Sequence, residues 1–213
     1  MTADSATIPV SVLWTGGFDS TARILEHLRD GREVQPIYMA HSTGWEKSQR
    51  ETAARARIRA ALSAGALRPD RVWDLEQLQS GFGGAPLWRV CVELCDALQL
   101  SHQYAALRFC REVTGTIDLI ECCVVMYDEV WERLIHPTRP AAVETFFRGF
   151  PMPLLDKSKR TLWLAAPPAH QAVLALTFSC EETDHDGRTC RERSLAPEKR
   201  CTGCKRRIEE LPT

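Results

Sequence analysis

Hydrophobic and polar positions alternate along this chain in blocks that change period. Ile8–Trp14 is a near-continuous apolar run with β-branched residues, the pattern of a parallel strand covered on both faces. After a Gly-Gly turn, Ile24, Leu25 and Leu28 share one face of a helix that Gly31 closes behind Arg29. Val34–Ala40 supplies a second strand, so the first forty residues read as a βαβ unit. Glu46–Ala64 is a long helix rich in Ala and Arg, and Arg71–Leu75 a short third strand. Ser80–Pro86 (SGFGGAP) reads as a loop, with three glycines and a proline in close succession. Leu87–Val113 is helical with a break near Ser101, Ile117–Val125 a strand, and Tyr127–Ile135 the helix after it. The proline-bearing stretch His136–Pro153 reads as a crossover or lid, and Asp156–Ala165 and Ala169–Leu176 as two short helices. Strands alternating with helices predict an α/β domain built on a parallel sheet. Cys180–Cys204 has almost no aliphatic residues and needs another means of staying ordered.

Composition narrows the class. A chain of 213 residues, 44% hydrophobic and 26% charged, has the makings of one domain and excludes disordered, collagen-like and coiled-coil architectures. Its 27 basic and 28 acidic residues give a formal charge of -1, which does not suit a broad nucleic-acid surface. No apolar run approaches the ~18 residues of a transmembrane helix. The opening MTADSATIPV lacks the layout of a secretory signal, so a cytoplasmic location is expected. Nine cysteines in such a compartment are expected to be core atoms, metal ligands or nucleophiles rather than disulfides.

Two segments carry candidate chemistry. Thr15-Gly16-Gly17-Phe18-Asp19-Ser20-Thr21 lies between a strand and a helix. Its glycines permit a tight turn and let backbone N–H groups approach a ligand, while the helix N-terminus favours an anion. A phosphate or pyrophosphate cradle is the functional reading, and an ordinary capped strand-to-helix turn the structural one. The Lys-Ser/Thr pair of a Walker A loop and the third glycine of a dinucleotide fingerprint are both missing. In the tail, Cys180, Cys190, Cys201 and Cys204 suit tetrahedral Zn²⁺, the last two as Cys-Thr-Gly-Cys. Metal binding would order a segment that has no core. A redox dithiol is the competing use, and His185 an alternative ligand. Cys91, Cys95 and Cys110 are spaced for a packed helix face beside Val90, Leu94 and Leu98. Cys122 and Cys123 are strand neighbours whose side chains point to opposite faces.

The run Leu13–Thr21 (LWTGGFDST) resembles the PP-loop, S-G-G-x-D-S-T, of the N-type ATP pyrophosphatases, with Thr15 in place of the first Ser. That resemblance implies a Rossmann-like adenine-nucleotide α-hydrolase sandwich. It also implies cleavage of ATP to AMP and pyrophosphate to adenylate an acyl oxygen. Thr15, Gly16, Gly17, Ser20 and Thr21 would cradle the pyrophosphate, and Asp19 would organise Mg²⁺ or the loop. Thr177–Cys190 followed by Cys201, Cys204 and Arg207 is similar to the four-cysteine zinc tail of the 7-cyano-7-deazaguanine synthases, with Arg191–Arg200 inserted into the knuckle. Pro153-Leu154-Leu155-Asp156-Lys157 resembles the same family's Pro-Leu segment ending in a lysine beside the nucleotide phosphates.

The family resemblance divides the chain into an ATP pyrophosphatase domain, 1–179, and a zinc-binding segment, 180–213, packed on it. It implies a C–N ligase of queuosine biosynthesis, with Asp19, Ser20 and Lys157 at the reaction centre. Such an enzyme adenylates 7-carboxy-7-deazaguanine and, with ammonia, converts it to an amide and then the nitrile. Zinc would be structural, and a homodimer is implied, the segment around Phe146–Trp163 offering either its surface or a lid. The middle of the chain departs from the family. His41–Trp45 replaces a Tyr-Gly-Gln segment, Glu51 is out of register with a helix Glu, and Tyr127-Asp128 stands where the base-binding segment belongs. Nucleotide activation therefore transfers better than the acyl substrate, and a related acid in DNA modification or antiviral defence is equally consistent. A tRNA-thiolating enzyme, with Cys122 or Cys123 carrying sulfur and the basic cluster Lys199–Arg207 meeting RNA, is one alternative. A non-catalytic binding module is another.

Overall fold

In a computed structural model the chain is described over residues 9–40, 45–63, 67–82, 85–97, 102–114, 120–124 and 146–177, together with residues 196 and 199. Four strands, β1 (Val10–Leu13), β2 (Val34–Ala40), β3 (Arg71–Asp74) and β4 (Ile120–Glu121), form one sheet in the order β3-β2-β1-β4. All three pairings are parallel: Val10 lies opposite Val34, Ile37 opposite Arg71, and Ser11 opposite Ile120. The chain winds outward from β1 through β2 and β3, then crosses to β1's other side for β4. Such a reversal opens a crevice at the carboxyl end of the central strand, where α/β sheets bind ligands.

Helices cover both faces. On one side Val10, Val12, Trp14 and Val34 pack with Ile24 and Leu25 of α1 (Phe18–Arg29) and Ile58 of α2 (Trp45–Ala61). Leu162 of α6 (Lys159–Ala165) and Val173 and Leu174 of α7 (Pro168–Leu174) complete that layer. On the other side Leu13, Ile37 and Met39 pack with Trp88, Cys91 and Cys95 of α4 (Pro86–Ala97) and Phe109 and Cys110 of α5 (His102–Thr114). Alternate positions of β1 thus feed opposite layers, which is why all four of its residues are buried, Ser11 included. Fully buried residues such as Ile24 and Leu25 each contribute about 1.5–3 kcal/mol.

α1 ends in a Schellman motif: Arg32 N–H donates to His27 O at 2.9 Å and Gly31 N–H to Leu28 O at 3.1 Å, with Gly31 at φ +72°. The expected loop Ser80–Pro86 is shorter than its glycines suggest. Residues Leu75–Phe82 form a helix, α3, whose N-terminus is capped by Asp74 Oδ1, accepting from Glu76 N at 2.8 Å and Gln77 N at 3.1 Å. β4 leaves the ladder after Glu121, where Cys122 N–H donates to Pro151 O at 2.9 Å. That bond ties the end of β4 to the segment leading into α6. Among the described residues no helix is long and apolar enough to cross a membrane. The expected helix Tyr127–Ile135, residues 136–145 of the expected crossover or lid, the tail Cys180–Cys204 apart from residues 196 and 199, and the division at residue 180 lie outside the described residues.

Candidate active site

The glycine turn sits at the switch point. Residues 14–17 link β1 to α1, and Gly16 adopts φ +81°, a conformation that L side chains rarely adopt. A Cβ there would lie 3.0 Å from Arg55 Cγ, 3.1 Å from Glu51 O and 3.3 Å from Ala54 Cβ, so glycine is required for space as well as for φ. Gly17 is the N-cap of α1 and has no side chain with which to cap it. A helix leaves its first N–H groups without helical acceptors and carries a partial positive charge at that end. Asp19, Ser20 and Thr21 fall within the first turn rather than at the cap.

The side chains of this turn divide by direction. Thr21 is fully buried. Its hydroxyl donates to Gly17 O at 2.7 Å and accepts from the indole N–H of the equally buried Trp14 at 3.0 Å. Thr21 therefore braces the turn from inside. Ser20 is also buried, whereas Thr15, Gly17 and Asp19 are half-buried.

Behind Gly16, α2 supplies a polar wall. Tyr38 O–H donates to Glu51 Oε2 at 2.9 Å, and the Arg55 guanidinium lies 3.5 Å over the Tyr38 ring. Arg55 and Arg59 both pair with Asp70, which fixes α2 against the segment before β3. Burial and the neighbouring Glu51 carboxylate push the Tyr38 hydroxyl up to about 12, so it remains a donor at neutral pH. Glu51, out of register by sequence, is thus a buried support of the turn.

On the flank of α1, Glu121 at the end of β4 receives Arg23 through Nε at 2.7 Å and Nη2 at 3.0 Å. His27 Nε2 lies 2.9 Å from Glu121 Oε2. Burial alone would raise the Glu121 carboxyl, but these hydrogen bonds and the adjoining positive charge outweigh it and hold it at about 2. The hydrogen bond to Glu121 raises Arg23 in turn. Arg23 Nη1 also donates to Glu26 Oε2 at 2.9 Å, and Lys157 Nζ donates to Glu26 Oε1 at 3.1 Å.

The lysine expected beside the phosphates, Lys157, is therefore engaged by Glu26, more than two turns along α1 from the glycine turn. Among the described residues the lysine that reaches the turn is Lys159, whose Nζ is 3.8 Å from Asp19 Oδ2 and whose side chain is largely buried. Ser158 explains the difference. It is the N-cap of α6, its Oγ accepting from Thr161 N at 3.1 Å, so α6 begins at Lys159 rather than Asp156. A Ser-x-x-Thr cap signal was available in the sequence. Glu121 was also legible, as one of two charged residues, with Asp118, in the expected strand Ile117–Val125.

The two strand-end cysteines do separate by face: Cys122 packs with the α4–α5 layer and Cys123 with the α1 layer. Burial first, then Cys122, Glu121 and Asp19, push the Cys123 thiol well above its ordinary value. A cleft lined by Leu25, Glu26, Leu162, Ala166 and His170 runs along the C-terminal part of α1, away from the turn. No group of three or more metal-ligating side chains occurs among the described residues, and Cys180, Cys190, Cys201 and Cys204 lie outside them. Comparison with family models, with curated proteins and with solved structures finds no significant match to this chain.

Proposed function

We propose that the chain is an ATP-dependent ligase of the PP-loop type, which adenylates a small carboxylate and passes it to ammonia. The observation that carries this reading is the turn itself. A positive-φ glycine and an N-cap without a side chain present the N-terminus of α1 at the switch point of a parallel sheet, and Lys159 approaches from α6. Backbone N–H groups at that end, with one ammonium, suit the β- and γ-phosphates of ATP and the pyrophosphate that leaves. Thr15 and Gly17 would face the anion with Ser20 close behind, while Thr21 keeps the turn in shape. Asp19 and Mg²⁺ would share charge balance with Lys159, the metal supplying neutralisation of the leaving group. Lys159 would face the phosphates, with Lys157 engaged on Glu26.

The acyl substrate is 7-carboxy-7-deazaguanine or a related acid, a choice that rests on the tail and the Pro-Leu segment of the sequence. Thiolation is the weaker reading, because a sulfur carrier at Cys122 or Cys123 would need an accessible thiolate. Cys122 is buried, and the surroundings of Cys123 oppose ionisation.

Release of AMP and pyrophosphate from ATP, measured with 7-carboxy-7-deazaguanine and ammonium, tests the proposal. Asp19→Ala and Lys159→Met should each lower the rate by about 10²-fold or more. Turnover with another acid would keep the mechanism and change the substrate, whereas no ATP cleavage with any carboxylate would overturn the proposal. The four tail cysteines would hold about one zinc per chain. Metal analysis finding none, or zinc kept after Cys201→Ser with Cys204→Ser, would remove that part.

A further inference from the structure

Asp19, Arg23 and Glu26 lie at i, i+4 and i+7 and so form one acid–base–acid stripe along α1. The carboxylates at its two ends are about 10 Å apart along the axis, at ~1.5 Å per residue. Lys157 and Lys159, two residues apart, meet them in reverse order: Lys157 on Glu26 at 3.1 Å, Lys159 on Asp19 at 3.8 Å. Apolar contacts of Leu154 and Leu162 and the stacking of Trp163 on Phe18 hold this segment against the α1 layer. The ion pairs to Glu26 and Asp19 add directional contacts to that packing.

We propose that Glu26 is a positioning residue that fixes Lys159 over the first turn of α1. One of its oxygens takes Lys157 and the other takes Arg23, which is itself anchored on Glu121 of β4. The same segment is held at its start by the bond from Cys122 N to Pro151 O. Between these anchors it folds through bonds from Leu155 N to Met152 O and Lys157 N to Leu154 O, and Ser158 then starts α6 at Lys159. Lys157 thus belongs to the clamp, and Lys159 is the amine presented to the turn. The consequence for ATP rests on the ligase reading; the placement of Lys159 does not.

The test uses the full chain and two independent readouts. The first is the acylation rate of Lys159 by an amine-reactive ester, followed by mass spectrometry and normalised to the exposed Lys199. Glu26→Gln should raise the rate roughly threefold or more as the amine leaves its buried position, Lys157→Gln should do the same, and Glu26→Asp should restore part of the protection. The double variant Glu26→Gln with Lys157→Gln should be no more reactive than either single one, since the two act as a unit. An unchanged Lys159 rate in both single variants, or additive effects in the double, overturns the positioning role whatever ATP does. The second readout is steady-state ATP cleavage: in Glu26→Gln, kcat should fall about tenfold while KM for ATP stays within about twofold, as for a contact made mainly to the leaving group. Raised Lys159 reactivity with unchanged kcat keeps the clamp and removes Lys159 from the ligase proposal. If Glu26→Gln fails to fold, the more exposed Lys157→Gln reads the same pair from its other end.

Discussion

Two glycines of this chain share a backbone conformation and differ in what surrounds them. Gly16 and Gly31 have φ of +81° and +72°, and an alanine at either adopts a left-handed conformation costing about 1–2 kcal/mol. Beyond 31 the added methyl meets nothing within 4 Å, whereas at 16 it meets Arg55 Cγ at 3.0 Å and Glu51 O at 3.1 Å. Neither neighbour gives way cheaply: Glu51 O is helix backbone, and the Arg55 stem is held by Asp70 at its far end and stacked over Tyr38. Crowding of this kind adds about 1–3 kcal/mol. Both variants lose the same freedom in the unfolded chain, so that contribution of about 0.4–1 kcal/mol cancels between them. Gly31→Ala should therefore lower the unfolding free energy by roughly 1 kcal/mol and Gly16→Ala by a further ~1–3 kcal/mol. Urea unfolding followed by tryptophan fluorescence, with equal m-values required, measures the difference. Two variants that agree within about 0.5 kcal/mol, close to the resolution of such measurements, would refute the close packing of the glycine turn on α2. The same experiment would then remove the reason for glycine at 16 beyond its φ.

The Glu121 carboxyl, held at about 2 against an ordinary 4.5, stabilises the folded state fully above pH 4.5 and progressively less as pH falls towards 2. That window is worth about 3 kcal/mol at ~1.4 kcal/mol per unit, so Glu121→Gln should flatten the acid limb of stability against pH. Parallel acid limbs for the two proteins would show that the Arg23–Glu121 pair contributes nothing. Thr21→Val keeps the volume but strands the Trp14 indole N–H, and should cost about 1–3 kcal/mol in thermal or urea unfolding, with Thr21→Ser recovering most of it. A Thr21→Val protein as stable as the wild type would mean the hydrogen bond is not formed. Burial pushes the Cys95 thiol up to about 12 and the Cys110 thiol up to about 11. Neither should react with a thiol reagent at pH 8 until urea unfolds the chain, and prompt labelling of either would contradict the packed α4–α5 face.

The first three strands were the legible part; the fourth, expected over Ile117–Val125, is confined to Ile120–Glu121 among the described residues. Val34–Ala40 has the same limits in sequence and structure, because a doubly covered parallel strand is largely apolar, here with Gln35 as the exception, and ends where polar residues resume. α3 was hidden by Gly81, Gly83 and Gly84, whose composition outweighs the Asp74 cap in a local reading. Lys157 and Lys159 could not be ranked from spacing, since which of two amines reaches the turn depends on the Glu26 and Asp19 stripe of a distant helix. The hydroxyl of Thr21 faces Trp14 and Gly17 O, a direction the motif itself does not carry. The Arg23–Glu121 pair joins residues 98 positions apart, and only the sheet order brings them together.

That separation has a consequence for how the site is made. β1, α1, β2, α2 and β3 are local in sequence and can assemble as soon as they are synthesised. The contacts from α1 to Glu121 and to Lys157 span 98 and 131 residues. At roughly 5–20 residues per second, the glycine turn waits about 7–28 s on the growing chain for Lys159, which follows Asp19 by 140 residues. During that interval one edge of β1 is open and α1's charged stripe is unanswered, which makes this edge the stretch most exposed to mispairing. The anion cradle is thus built first and its cation delivered last, so a truncated chain that stops before residue 150 would display the motif without the amine that faces it.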